Sequence, residues 1–149
     1  MLTIDFETKA IDGNVITNPP RPVGVAIKLD NEPGYYLSWG HPSGNTTVFE
    51  SAKAHLLPLL DAACKKNGWL AHNAPFELSV LRKWFGWTCP DSFMVHDTQF
   101  LIFLCDPYAA SMSLKPSADR ILGMAPAEQD AVKNWVIENV LGLQIQQII

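Results

Sequence analysis

Leu2 and Ile4, two positions apart at the front of the chain, mark the start of a β-strand. A turn-rich stretch follows, punctuated by Asp12-Gly13-Asn14 and Pro19-Pro20. Val23 to Asp30 and Tyr35 to Trp39 then read as strands joined by the turn Asn31 to Gly34. Three strands this close in sequence predict an antiparallel meander. From Val48 to Lys66 the apolar positions Phe49, Ala52, Leu56, Leu57, Leu60 and Ala63 follow a helical period. Thr47 stands ready to cap that helix, and Pro58 inside it predicts a kink or a break.

Gly68 to Ala71 reads as a short buried strand, and Ala74 to Gly86 as a helix stopped by its glycine. The stretch from Ser92 to Asp97 reads as a further strand, and Thr98 to Cys105 as the helix after it. Two more helices are expected, Leu114 to Gly123 and a second that starts at Pro126. Strand–helix–strand units require parallel, right-handed crossovers. The fold class is therefore α/β: a mixed sheet of about five strands, an antiparallel meander plus parallel strands, flanked by helices. One domain over residues 1–140 is expected, followed by an uncharged tail, LGLQIQQII, over residues 141–149.

Composition narrows the function classes. Of 149 residues, 48% are hydrophobic and 17% charged, a globular balance. No apolar run is long enough for a membrane helix, so no membrane partner is expected. The net charge of −4 argues against gripping nucleic acid through a broad basic surface. It leaves room for an acidic site that binds metal ions, which in turn bind phosphates. Cys64, Cys89 and Cys105 form no CxxC pair and read as reduced thiols of a cytoplasmic protein. His41, His55, His72 and His96 lack zinc-ligand spacing.

Asp5 and Glu7 carry the first chemistry. Residues i and i+2 of a strand share a face, roughly 6–7 Å apart, and like charges there repel. Either both carboxylates reach water where the strand ends, or they share a cation. Glu77 lies within the first turns of a helix, where the dipole favours an acid, and Asn73 is an ordinary cap residue. If the first strand neighbours the one ending at Ala71, then Asp5, Glu7 and Glu77 converge at one end of the sheet. Three carboxylates meeting there suit Mg²⁺ or Mn²⁺. Two such ions about 3.5–4 Å apart can flank a phosphodiester.

These residues resemble a known family. DFET, from Asp5, looks like the first motif (DxE) of the DnaQ-like, ribonuclease H-like 3′–5′ exonucleases, and HNAPFELSVL, from His72, looks like their second. HDTQFLIFLCDP and SLKPSADRILG resemble the region beyond the second motif in phage and bacterial family A DNA polymerases. The resemblance implies a ribonuclease H-like sheet and proofreading hydrolysis of single-stranded DNA 3′ ends with two divalent ions, Mg²⁺ or Mn²⁺. It makes Asp5 and Glu7 metal ligands, with Asp5 bridging both ions. Glu77 stands where the family has a shorter aspartate. Asn73 and Thr8 become substrate contacts, and Leu114 part of the groove wall. Phe6 and Phe76 are either core residues or stacking platforms for the terminal base. Asp97 with Thr98 is a helix cap.

The family's third motif, YxxxD or HxxxxD, is absent: Tyr108 is followed four positions on by Met112, and His96 five positions on by Leu101. Asp130 and Glu138 fall on the last expected helix without a tyrosine or histidine at that spacing. A weak or inactive exonuclease is therefore expected of this chain alone, with the remainder of a polymerase as one partner and self-association through the tail as another possibility. The different-class alternative is a non-catalytic nucleic-acid-binding or interaction module on the same fold. An RNA-directed exonuclease is the third reading. The setting implied is bacterial or phage-infected cytoplasm.

Overall fold

The computed structural model describes residues 1–42, 44–90 and 95–124. The chain divides into two compact units, Met1–Leu101 and Ile102–Ile149. The expected tail over residues 141–149 and the helix from Pro126 lie outside the described residues.

The first unit is built on a five-stranded mixed sheet in the order β3-β2-β1-β4-β5. Its strands are β1 (Leu2–Thr8), β2 (Pro22–Leu29), β3 (Tyr35–Ser38), β4 (Trp69–Ala71) and β5 (Val95–Asp97). β1, β2 and β3 form the antiparallel meander, while β4 joins β1 in parallel and β5 joins β4 in parallel. The predicted class holds, and the arrangement is ribonuclease H-like.

Alternation along β1 sorts its side chains by face. Leu2, Ile4 and Phe6 are buried; Asp5 and Glu7 are exposed on the other side. Val25 and Ile27 of β2, with Trp69 and Ala71 of β4, complete the apolar face. Against it pack helix α1 (Phe49–Cys64), through Leu56 and Leu60, and helix α2 (Ala74–Val80), through Ala74 and Val80. A π turn, Leu81–Phe85, continues α2 and adds Leu81 and Phe85 to the core. Phe85 sits among aromatic rings, with centroids 5.1 Å from Phe49 and 5.2 Å from Phe6. Gly86 stops the turn with φ of +68°, a left-handed conformation that glycine adopts without a Cβ penalty. The helix stop there is as the pattern predicts; the π turn carries no periodicity signal of its own.

Two local expectations are corrected. α1 runs unbroken through Pro58. Pro58 and Ala54, the residue whose carbonyl loses its partner, are both exposed, so water can take the lost bond. Thr47 does not cap α1: the cap position is Val48, and the Thr47 hydroxyl donates to the Val48 carbonyl instead.

Helix α3 (Thr98–Cys105) follows β5, and helix α4 (Leu114–Leu122) lies in the second unit. Within that unit Arg120 donates to the Ser111 carbonyl at 3.3 Å and lies 3.7 Å from the Asp106 carboxylate. None of the cysteines is in a disulfide. Among the described residues no helix is long and apolar enough to cross a membrane.

Candidate active site

β1 and β4 run in parallel with Leu2 opposite Trp69 and Thr3 opposite Leu70. Past that register, β1 continues to Asp5 and Glu7 while β4 ends at Ala71 and gives way to α2. The carboxyl ends of both strands thus put Asp5, Glu7 and the first turn of α2 at one place. A register irregularity between Glu7 and Thr8 ends the regular pairing with β2 just past the acids.

Glu77, in that first turn, is only 2% exposed, and its Oε2 accepts the Phe6 backbone N–H at 3.2 Å. Loss of hydration, then the Asp5 charge, push its carboxyl pKa up to about 9, with Glu7 adding to the rise and the Phe6 N–H opposing it. Glu77 therefore feels the charges of both Asp5 and Glu7. Asp5 is itself raised by burial of its carboxyl group, against a lowering influence from His72.

The turn into α2 is held from β5. Asn73 sits in the left-handed region, φ +63°, and its side chain makes no cap bond. Instead Asp97 accepts the N–H of Asn73 on Oδ1 and that of Ala74 on Oδ2, each at 3.0 Å. Its Oδ1 also accepts the Gln99 N–H at 2.9 Å. The expected cap of α3 is present, and the same carboxylate caps α2 as well. Asp97→Ala should therefore cost about 2 kcal/mol and Asp97→Asn about half of that, read from urea midpoints.

His72 Nδ1 lies 2.9 Å from Thr98 Oγ1, whose hydroxyl donates to the Ala71 carbonyl at 3.3 Å. The hydroxyl proton being so used, Thr98 Oγ1 is the acceptor toward His72 Nδ1, while His72 Nε2 is buried with no hydrogen-bond partner.

The remaining candidates disperse. Phe6 points to the core face, 5% exposed against Phe85, and contributes to the site through its backbone N–H. As a stacking platform it is on the wrong side of the strand. Phe76 is partly buried against the same core, and the Thr8 hydroxyl donates to the Lys9 carbonyl. Leu114 opens α4 in the second unit and is half exposed.

Sequence reasoning missed Tyr36. Cross-strand pairing sets Asp5, Ala26 and Tyr36 in one row and Glu7 with Gly24 in the next. A Cβ on Gly24 would lie 1.9 Å from the Tyr36 hydroxyl oxygen, so only glycine lets the ring lie across β2. The register that brings Tyr36 to the acids depends on pairing between β2 and β3, which the residue pattern alone does not specify.

Asp5, Glu7 and Glu77 offer oxygen donors, the type a hard divalent cation takes, and are the residues that would hold one. Among the described residues no group of three His, Cys, Asp or Glu side chains is placed so that it could hold a metal ion.

No family model and no curated protein matches the chain. Solved structures do. Brucella melitensis NrnC bound to pGG matches with TM-score 0.55 and 20% identity over 83% of this chain and 53% of that one. The same protein with bound Mg²⁺ gives TM-score 0.54 and 21% identity over 83% of this chain and 54% of that one. A chain in the structure of the yeast NOT1 MIF4G domain co-crystallized with CAF1 matches with TM-score 0.56 and 15% identity, over 84% of this chain and 69% of that one. The fold is one that nucleases have. The chain spans about half the length of the NrnC chains it matches.

Proposed function

We propose that the chain is a metal-dependent 3′–5′ exonuclease acting on single-stranded nucleic-acid ends, with Asp5, Glu7 and Glu77 as its acidic centre. The observation that carries this reading is Glu77. A carboxyl 2% exposed, raised by the charges of Asp5 and Glu7, is an unfavourable arrangement for a merely structural residue. A divalent cation would offset it, and when bound would polarise the scissile phosphate and favour a hydroxide-like nucleophile. The protein's own part is to hold the acids on rigid elements: β1 fixes Asp5 and Glu7, the Phe6 N–H orients Glu77, and Asp97 anchors the turn into α2. The NrnC structures with Mg²⁺ and with pGG support a cation and a nucleic-acid ligand at a site on this fold. The HDTQFLIFLCDP and SLKPSADRILG stretches support proofreading in a polymerase as the setting.

The test is a 5′-labelled single-stranded DNA and its RNA counterpart, incubated with Mg²⁺, Mn²⁺ or EDTA. A ladder shortening from the 3′ end in either metal, and absent in EDTA, is the expected result. It should form slowly, because no YxxxD or HxxxxD spacing occurs in the sequence. A second reading, a non-catalytic binding module, is favoured because no group of three His, Cys, Asp or Glu among the described residues is placed to hold a metal ion. It requires retention of the labelled strand with no ladder in any metal.

A further inference from the structure

The antiparallel half of the sheet carries an arrangement that the acids alone do not explain. Tyr36 crosses Gly24, the residue paired with Glu7, and its hydroxyl lies 2.8 Å from His41 Nε2, with the two rings edge to face at 5.9 Å. His41 is itself fixed: its N–H donates to the Asn45 side-chain oxygen at 2.9 Å, and Asn45 returns a bond to the His41 carbonyl at 3.1 Å. Loss of hydration raises the Tyr36 phenol, and the charges of Glu7 and Asp5 raise it further, which places the ring beside the acidic centre. A shallow cavity of about 280 Å³ opens on the same side, lined by Asp5, Ala26, Lys28 and Tyr36 among others. A partly exposed tyrosine held by histidine, lying over a glycine that leaves it room, is preorganised for a hydrogen bond rather than for packing.

We infer that Tyr36 is a phosphate-contacting residue of this site and that His41 is its positioning residue. His41 Nε2–H donates to the phenol oxygen, and the phenol O–H donates outward to a non-bridging oxygen of the bound strand. A donor is the chemistry required there. Two carboxylates repel a phosphate, and a protonated phenol is neutral, so it can approach both. Lys28 lines the same cavity and offers a cation for a neighbouring phosphate. The inference rests on the nuclease reading and gives it a wall built from β2 and β3.

The neighbouring pair provides a control. Tyr35, next along β3, also borders the cavity, but its hydroxyl is engaged 2.7 Å from His55 of α1, so Tyr35→Phe leaves the proposed Tyr36 contact untouched.

The experiment measures fluorescence anisotropy of a 5′-fluorescein oligothymidylate on the full chain, with Ca²⁺ replacing Mg²⁺, alongside ladder kinetics in Mg²⁺ or Mn²⁺. Tyr36→Phe keeps the ring and should weaken binding about three- to tenfold, the worth of one hydrogen bond. In the kinetics it should raise KM with little change in kcat. His41→Ala should weaken binding similarly, and His41→Gln should recover part of the loss, since its amide N–H can reach the phenol oxygen. Gly24→Ala, which keeps Tyr36 but forces its hydroxyl aside, should match Tyr36→Phe at unchanged melting temperature. Tyr35→Phe should bind as the parent does. If the parent binds and degrades the strand and Tyr36→Phe is indistinguishable from it, the inference fails while the nuclease reading stands. If the parent neither binds nor degrades any strand, the nuclease reading fails and takes this inference with it.

Discussion

Glu77→Gln should stabilise the metal-free protein at neutral pH, by about 3 kcal/mol at pH 7, or on the order of 10 °C in melting temperature. Burial and its acidic neighbours raise the Glu77 pKa from 4.5 to about 9. Below about pH 4.5 the folded and unfolded chains both hold that proton, and its burial does not separate them. Above it the unfolded chain releases the proton while the folded chain keeps it, so stability falls steadily toward pH 9 and levels off beyond. Glutamine has the same shape, and its side-chain oxygen can still accept the Phe6 N–H, but it has no proton to lose. Melting curves in EDTA from pH 4.5 to 9 should slope downward for the parent and stay flatter for Glu77→Gln. Added Mg²⁺ should return about 2.7 kcal/mol to the parent at a hundredfold excess over its Kd, and less to the variant. Parallel pH curves for the two proteins would mean that Glu77 titrates normally and that the acidic centre is not strained in the way described.

A side chain that destabilises its own fold is one that sequence patterns handle badly. HNAPFE reads as an ordinary strand-to-helix turn with an acid well placed for the dipole, and nothing in it reveals that Glu77 is buried. Burial follows from the parallel pairing of β1 and β4, a long-range event. By contrast, the two-residue period of β1 and the helical period of α1 are local, and both elements were readable from the residues. The class of the sheet was also legible, because a meander followed by strand–helix–strand units permits few other arrangements.

What failed did so for identifiable reasons. Pro58 predicts a break only if its helix needs the lost bond, and exposure of that side removes the need. Phe6 was open to two readings, core residue or stacking platform, and the same alternation that pairs Asp5 with Glu7 turns it to the core. Asp97 was readable as one cap and serves two helices, since only the sheet order reveals that β5 lies beside the start of α2. Tyr36 and His41 are five residues apart and unremarkable in sequence; the register across three strands makes Tyr36 a neighbour of the acids, and His41 its partner.

Asp5→Ala and Glu7→Ala should each lower the rate of 3′-end release by about 10²–10³-fold, as expected when several kcal/mol of charge stabilisation are lost at a phosphoryl centre. Both residues sit on the open face at the end of a strand whose other face is locked into the core by Leu2, Ile4 and Phe6. Replacing them removes no packing, so folding should survive and the loss should be chemical. In EDTA, Asp5→Ala should even melt higher than the parent, because removing its charge relieves Glu77, the group it most directly raises. The two acids act on one centre, so the double variant should lose no more than about what the worse single variant loses. Full additivity in the ladder assay would instead mean that Asp5 and Glu7 act separately, and the shared-cation account of the pair would then be wrong.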